Sequence, residues 1–222
     1  MNPILKRSVT ALTIAAVLIV AILKVPVAVF PWVLGALGLL TLVEYVQLLR
    51  IKKPGAAVFA LFLVCGALLF AAAFGTLGRV ALKYGNVWLL FTVAVVKISD
   101  MGGFAFGLGS KKLFGDNHKL CPSISPGKSW EGLLGSVVGS CLVSFGFSCF
   151  TGFPWWESLA VAVTAALVGT FGDLVESKFK RWVGVKDSST MSITYGMGGI
   201  LDMFDSLLFA PTAIWLVIRC CR

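Results

Sequence analysis

The sequence predicts an all-α fold: a bundle of about seven transmembrane helices with a cytoplasmic N-terminus. Three observations predict it. Hydrophobic residues make up 58% of the 222 positions and charged residues 13%, with a mean hydropathy of +0.94; a soluble domain is about half apolar and a quarter charged. Apolar runs close to the ~20 residues that span a bilayer recur along the chain. Lys and Arg gather on alternate connections between them. Because lipid satisfies no backbone polar group, such runs must close their hydrogen bonds internally, as helices.

In chain order the runs are 8–23, 27–48, 54–74, 86–107, 130–150, 155–176 and 199–218. The first follows Lys6 and Arg7 as a signal peptide's apolar region would. No small-x-small cleavage site follows it, so it reads as a helix ended by Lys24, Val25 and Pro26. Pro and Gly bracket the later runs, as turn punctuation does.

An inside N-terminus places thirteen basic residues on the inner connections: Lys6, Arg7, Arg50, Lys52, Lys53, Lys111, Lys112, Lys119, Lys128, Lys178, Lys180, Arg181 and Lys186. Only five, Lys24, Arg79, Lys83, Arg219 and Arg222, fall outside. That asymmetry sets the orientation. The net charge of +9 then faces anionic lipid heads, and no aromatic-interleaved basic motif argues for nucleic acid. Six cysteines without a CxxC pair indicate neither a zinc site nor a disulfide framework. The chain reads as one membrane domain, 1–222, with scaffold helices in 1–85 and catalytic helices and cytoplasmic loops in 86–222.

The carboxylates carry the functional signal. Ten Asp and Glu serve the chain, most of them in or beside apolar runs, and an ionised side chain at bilayer depth marks a functional site by default. Asp202 and Asp205, three apart on one expected helix, share a face about 5–6 Å apart and can hold one divalent cation or bridge two. Asp173, at the end of the preceding run, can complete the site; all-oxygen ligation points to Mg²⁺. Gly198-Gly199 allows close backbone approach before that helix.

Asp173, Glu176, Ser177 and Lys180 fall on one helical face, where Glu176 and Lys180 either pair with each other or meet substrate. Lys180, Arg181 and Lys186 form a basic collar suited to phosphate. The segment Ser123–Gly132 reads as a turn feeding a helix, with backbone N–H groups, hydroxyls and Lys128 able to cradle phosphate. It is no Walker A loop, because Pro122 stands where the first Gly belongs. Lys97 and Asp100 read as a buried ion pair, His118 as a solvated loop residue, and Glu44 as an interfacial helix-end acid. A transporter would also bury acids, but no internal repeat supports one.

These motifs together resemble the phosphatidate cytidylyltransferase family, the CDP-diacylglycerol synthases. The family's C-terminal signature is approximately Ser-x-φ-Lys-Arg-x4-Lys-Asp, a short linker, then His-Gly-Gly-φ-x-Asp-Arg-φ-Asp, where φ is apolar. Here it reads Ser177, Phe179, Lys180, Arg181, Lys186, Asp187, then Gly198, Gly199, Ile200, Asp202, Phe204 and Asp205, preceded by a matching Gly172–Ser177. Lys119-Leu120, Ile124–Gly132 and Ser99-Asp100 are also similar; Met197 and Met203 replace the family's His and Arg, and the linker is longer.

The resemblance implies that CTP and phosphatidic acid give CDP-diacylglycerol and pyrophosphate, with Asp173, Lys180, Arg181, Asp202 and Asp205 catalytic. Substrate binding would fall to Asp100, Ser125, Lys128, Ser129, Glu176, Ser177, Lys186, Asp187, Gly198 and Gly199. Mg²⁺, with room for a second cation, would be held by Asp173, Asp202 and Asp205. The resemblance further implies a homodimer in a bacterial inner membrane, its site facing the cytoplasm. A weakened relative that only binds nucleotide or lipid is the alternative that Met197 and Met203 raise.

Overall fold

The computed structural model describes residues 19–185 and 199–221. Helix α1 (Phe30–Lys52) follows a 3₁₀ turn at Val27–Val29, which begins after Pro26. It stops where Lys53 turns left-handed at φ 52° and Pro54 follows. Helix α2 (Ala56–Tyr84) and helix α3 (Asn86–Phe114) are separated by one residue, Gly85, at φ +86°. A side chain would be strained there, so the reversal needs glycine. Strands β1 (Lys119–Cys121) and β2 (Ser125–Ser129) pair antiparallel. Helix α4 (Trp130–Thr151) begins where the Ser129 hydroxyl accepts the Gly132 N–H at 3.1 Å. Helix α5 (Trp155–Val183) starts after Pro154.

These five helices are long and apolar enough to cross a membrane. Their lipid-side residues are large and apolar: Trp32 is 81% exposed, Leu68 66% and Leu142 71%. The chain is a membrane protein. Several runs extend beyond their predicted ends, α2 to Tyr84, α3 to Phe114 and α5 to Val183. The run at 8–23 lies mostly outside the described residues. The run at 199–218 departs from the expected single span: it divides into α6 (Ile200–Phe204), a 3₁₀ turn (Ser206–Leu208) and α7 (Ala210–Cys221). The break has a local cause, since Asp205 turns its own carboxylate onto the Ser206 N–H at 2.7 Å and Pro211 has no N–H to give. Five spanning helices among the described residues therefore stand against the seven predicted. The β1–β2 hairpin also departs from a purely α-helical fold: Pro122, Pro126 and Gly127 oppose helix there, and the backbone pairs with itself instead.

Helices α3 and α4 pack at very short range through small residues. A Cβ on Gly102 would lie 2.4 Å from the Gly135 carbonyl oxygen, and one on Gly139 would lie 2.7 Å from that of Ile98. Lipid tails are as apolar as leucine, so close backbone approach must supply attraction between membrane helices. Ser99 adds a buried bond to the Ser136 carbonyl at 3.1 Å. Two apolar clusters then grip the broken segment. Leu48, Leu49, Phe70 and Leu77 of α1 and α2 enclose Leu201 and Leu208. Phe91 and Val95 of α3, with Val161 and Ala165 of α5, enclose Leu207 and Ile214.

Candidate active site

The break in the last apolar run places Asp202, Asp205 and Ser206 against α3 and α5. Gly172 makes the approach possible: a Cβ there would stand 3.0 Å from the Asp205 carbonyl oxygen and 2.9 Å from the Phe209 ring. Glu44, expected at an interface, is instead 2% exposed, and its carboxylate accepts the Leu201 N–H at 2.7 Å. An acid of α1 thus satisfies one of the free amides at the start of α6. Tyr45 beside it stacks on Phe179 of α5, ring centroids 4.8 Å apart.

Three lysines from three elements each meet carboxylates here. Lys97 of α3 lies 3.4 Å from Asp100 and 3.9 Å from Asp205, and donates to the Ser206 hydroxyl at 3.1 Å. That hydroxyl donates in turn to Asp100 at 2.7 Å. Lys128 of β2 pairs with Asp173 and reaches the Thr170 carbonyl at 3.5 Å. Lys180 of α5 bridges Asp202 at 2.8 Å and Glu176 at 3.4 Å. The second Asp202 oxygen accepts the Gly199 N–H at 3.1 Å, closing the start of α6. Asp205 lies within electrostatic reach of Asp100, Asp173 and Glu176, which links the three groups.

A cavity of about 500 Å³ opens beside them, between α3, the hairpin, α4 and α5. Asp100, Ser125, Lys128, Ser129 and Asp173 line it, and so do Lys111, Asn117 and Lys119, which sequence reasoning had not assigned to a site. Lys119 donates to Asn117 at 2.7 Å, and Asn117 donates to the Gly107 carbonyl at 3.0 Å. Opposite charges line a hole large enough for a nucleotide-sized ligand, for which pockets of about 300–1,000 Å³ are usual.

The predicted residues divide by position. Glu176, Lys180, Gly199 and Asp202 form one group, and Asp205 stands between it and the cavity. Asp205 follows α6 directly with helical backbone angles, and the two carboxylates meet different lysines, Asp202 meeting Lys180 and Asp205 meeting Lys97. Ser177 is half-buried on α5. Arg181 is exposed and donates to the Val185 carbonyl at 3.4 Å, away from the acids. Lys186, Asp187, Met197 and Gly198 lie outside the described residues. His118 is solvated, as expected, and bonds Glu131 at 2.7 Å. Lys97 and Ser206 join the site, the first legible as a charge inside an apolar run and the second without a signal of its own.

Among the described residues no three carboxylate, His or Cys side chains gather closely enough to form a metal cage. Asp100, Asp173, Glu176, Asp202 and Asp205 are each met by a lysine. The donor chemistry suits a hard cation all the same: every ligand atom is oxygen, and the buried Asp173 Oδ1 has no hydrogen-bond partner.

The sequence model of the cytidylyltransferase family matches residues 55–221. Phosphatidate cytidylyltransferases of Staphylococcus saprophyticus, Staphylococcus aureus and Staphylococcus epidermidis are each 42% identical over 127 residues. Those residues are 56% of this chain and 46% of each relative, so the chain spans about half the length of the curated relatives it matches. With three-quarters of its length under the family model, from the start of α2 into α7, the chain belongs to the cytidylyltransferase family.

Proposed function

We propose that this protein transfers the cytidylyl group of CTP to phosphatidic acid, forming CDP-diacylglycerol and pyrophosphate. The observation that carries the reading is the convergence of Lys97, Lys128 and Lys180 with their carboxylates beside a 500 Å³ cavity in a membrane protein of this family. In the reaction a phosphate oxygen of phosphatidic acid attacks the α-phosphorus of CTP. A new P–O–P link forms, the α–β bond breaks, and pyrophosphate leaves with the bonding electrons. The attacking oxygen is already anionic, so no strong base is needed, and positioning with charge neutralisation supplies most of the acceleration.

In this reading Lys128 turns from Asp173 toward the CTP phosphates, while Lys97 and Lys180 hold the two phosphates at reacting distance. Ser125 and the backbone of the Pro126-Gly127 turn contribute hydrogen bonds. Asp173 and Asp205, with Asp202 near the second lysine, would hold Mg²⁺. When bound, the ion offsets charge on the leaving pyrophosphate. A homodimer with its nucleotide cavity on the cytoplasmic side of a bacterial inner membrane belongs to the same reading.

The purified chain, reconstituted with phosphatidic acid and α-labelled CTP, should transfer label into lipid and release pyrophosphate in equal amounts. Nucleotide binding without label transfer refutes the reaction and leaves a binding protein.

A further inference from the structure

A second cavity, of about 410 Å³, lies on the face of α5 opposite Asp173. Phe62, Cys65, Leu69, Phe179, Trp182 and Leu208 line it, and among the described residues charged side chains enter only at Glu176 and Lys178. One wall is a run of stacked rings: Tyr45 on Phe179 and Phe62 on Trp182, each with centroids 4.8 Å apart. Gly66 makes room for that wall, since a Cβ there would fall 2.5 Å from the Tyr45 ring. At the rim, Lys52 sits 5.3 Å above the Trp182 ring and Lys178 is exposed. A ring-lined slot beneath a cationic rim, within membrane-spanning helices, matches an amphiphile with a hydrocarbon chain and an anionic head.

Its link to the lysine cluster is a single side chain. Glu176 lines the apolar cavity and is bridged by Lys180 to Asp202. A lipid whose phosphate reacts at that cluster needs a place for its chains within reach, and this cavity adjoins it. We propose that the cavity holds an acyl chain of the phosphatidic acid substrate, with the headgroup turned toward Lys178 and Lys180; the inference rests on the reaction proposed above. The two substrates then approach α5 from opposite faces, CTP on the Asp173 side and lipid on the Phe179 side.

Filling the slot tests this. Cys65→Trp and Leu69→Trp should each lower kcat/KM for dipalmitoyl phosphatidic acid at least tenfold, since chain-length discrimination in apolar pockets is of that order. The value for the dioctanoyl lipid should stay within about twofold, and KM for CTP should not move. Equal losses on both lipids, or none, overturn the proposal. A binding readout guards against misfolded variants and an inactive enzyme. With the other five cysteines changed to Ala, dipalmitoyl phosphatidic acid should slow the reaction of Cys65 with N-ethylmaleimide at least fivefold, and dipalmitoyl phosphatidylcholine should not. No protection, equal protection by both lipids, or a Cys65 already shielded without lipid overturns the site. Selective protection in a protein that makes no CDP-diacylglycerol refutes the reaction and keeps the lipid site.

Discussion

Lys128→Met separates what the Lys128–Asp173 pair does for the fold from what it does for the reaction. The side chains are 24% and 18% exposed, so the pair is largely but not fully withdrawn from water. Removing one partner of a fully buried pair costs about 3–5 kcal/mol, chiefly from the stranded charge. The residual exposure lowers the expectation here to about 2–3 kcal/mol, because water can reach Asp173. In a chain of this size that lowers the thermal midpoint by about 4–12 °C. Asp173 Oδ1 already lacks a hydrogen-bond partner, so nothing nearby replaces the ammonium.

The catalytic loss is separate. A charge-assisted contact to phosphate is worth about 1.5–3 kcal/mol, which predicts a fall in kcat/KM of about ten- to a hundred-and-fifty-fold. The double variant Lys128→Met/Asp173→Asn removes the stranded charge and should regain most of the thermal midpoint while turnover stays low. Label transfer from CTP and thermal unfolding in the same detergent read both effects. A folded Lys128→Met protein within threefold of wild-type turnover would refute the role given to Lys128. Recovery of turnover in the double variant would show that Lys128 only balances the charge on Asp173.

Asp205→Asn should lower Mg²⁺-dependent label transfer by at least a hundredfold, about 3 kcal/mol in the barrier, while Asp202→Asn keeps an acceptor for Gly199 and reports on the Lys180 bridge; near-normal transfer in Asp205→Asn rejects its metal role. Gly172→Ala places a Cβ 3.0 Å from the Asp205 carbonyl, so it should cost about 1–3 kcal/mol of stability and reduce turnover by displacing Asp205; unchanged unfolding and turnover would show that the segment can shift freely. In a protein otherwise free of cysteine, Lys112→Cys should react with an impermeant maleimide from the cytoplasmic side only and Lys83→Cys from the other side only. Labelling of both from one side contradicts the orientation and the access proposed for CTP.

Helix starts were the most legible part of the chain. Asn86, Trp130 and Trp155 each begin a helix where the apolar runs begin, because Gly85, Ser129 and Pro154 act locally, through backbone freedom, a capping hydroxyl and a missing N–H. Helix ends were less legible. Hydropathy falls after Glu176, yet α5 continues to Val183, because Lys180 and Phe179 find partners on other helices. The acids at 173, 202 and 205 stood out by their rarity in apolar surroundings, and the solvent sets that signal before any fold exists.

The ion pairs at helical spacing, Lys97–Asp100 and Glu176–Lys180, could be read in advance, whereas partners from distant elements could not. Glu44 caps a helix 157 residues away, and Lys97 reaches Ser206 across 109. The break between Phe204 and Ala210 has a local cause in Asp205 and Pro211, but mean hydropathy over 199–218 describes a span whether or not its backbone is continuous. The sequence alone determined the solvent, the helical class and the residues too costly to bury without purpose. Only the tertiary structure decided their partners on other elements and the two cavities, because a buried charge is stabilised by whatever lies within a few ångströms of it, and beyond one helical turn folding rather than spacing chooses those neighbours.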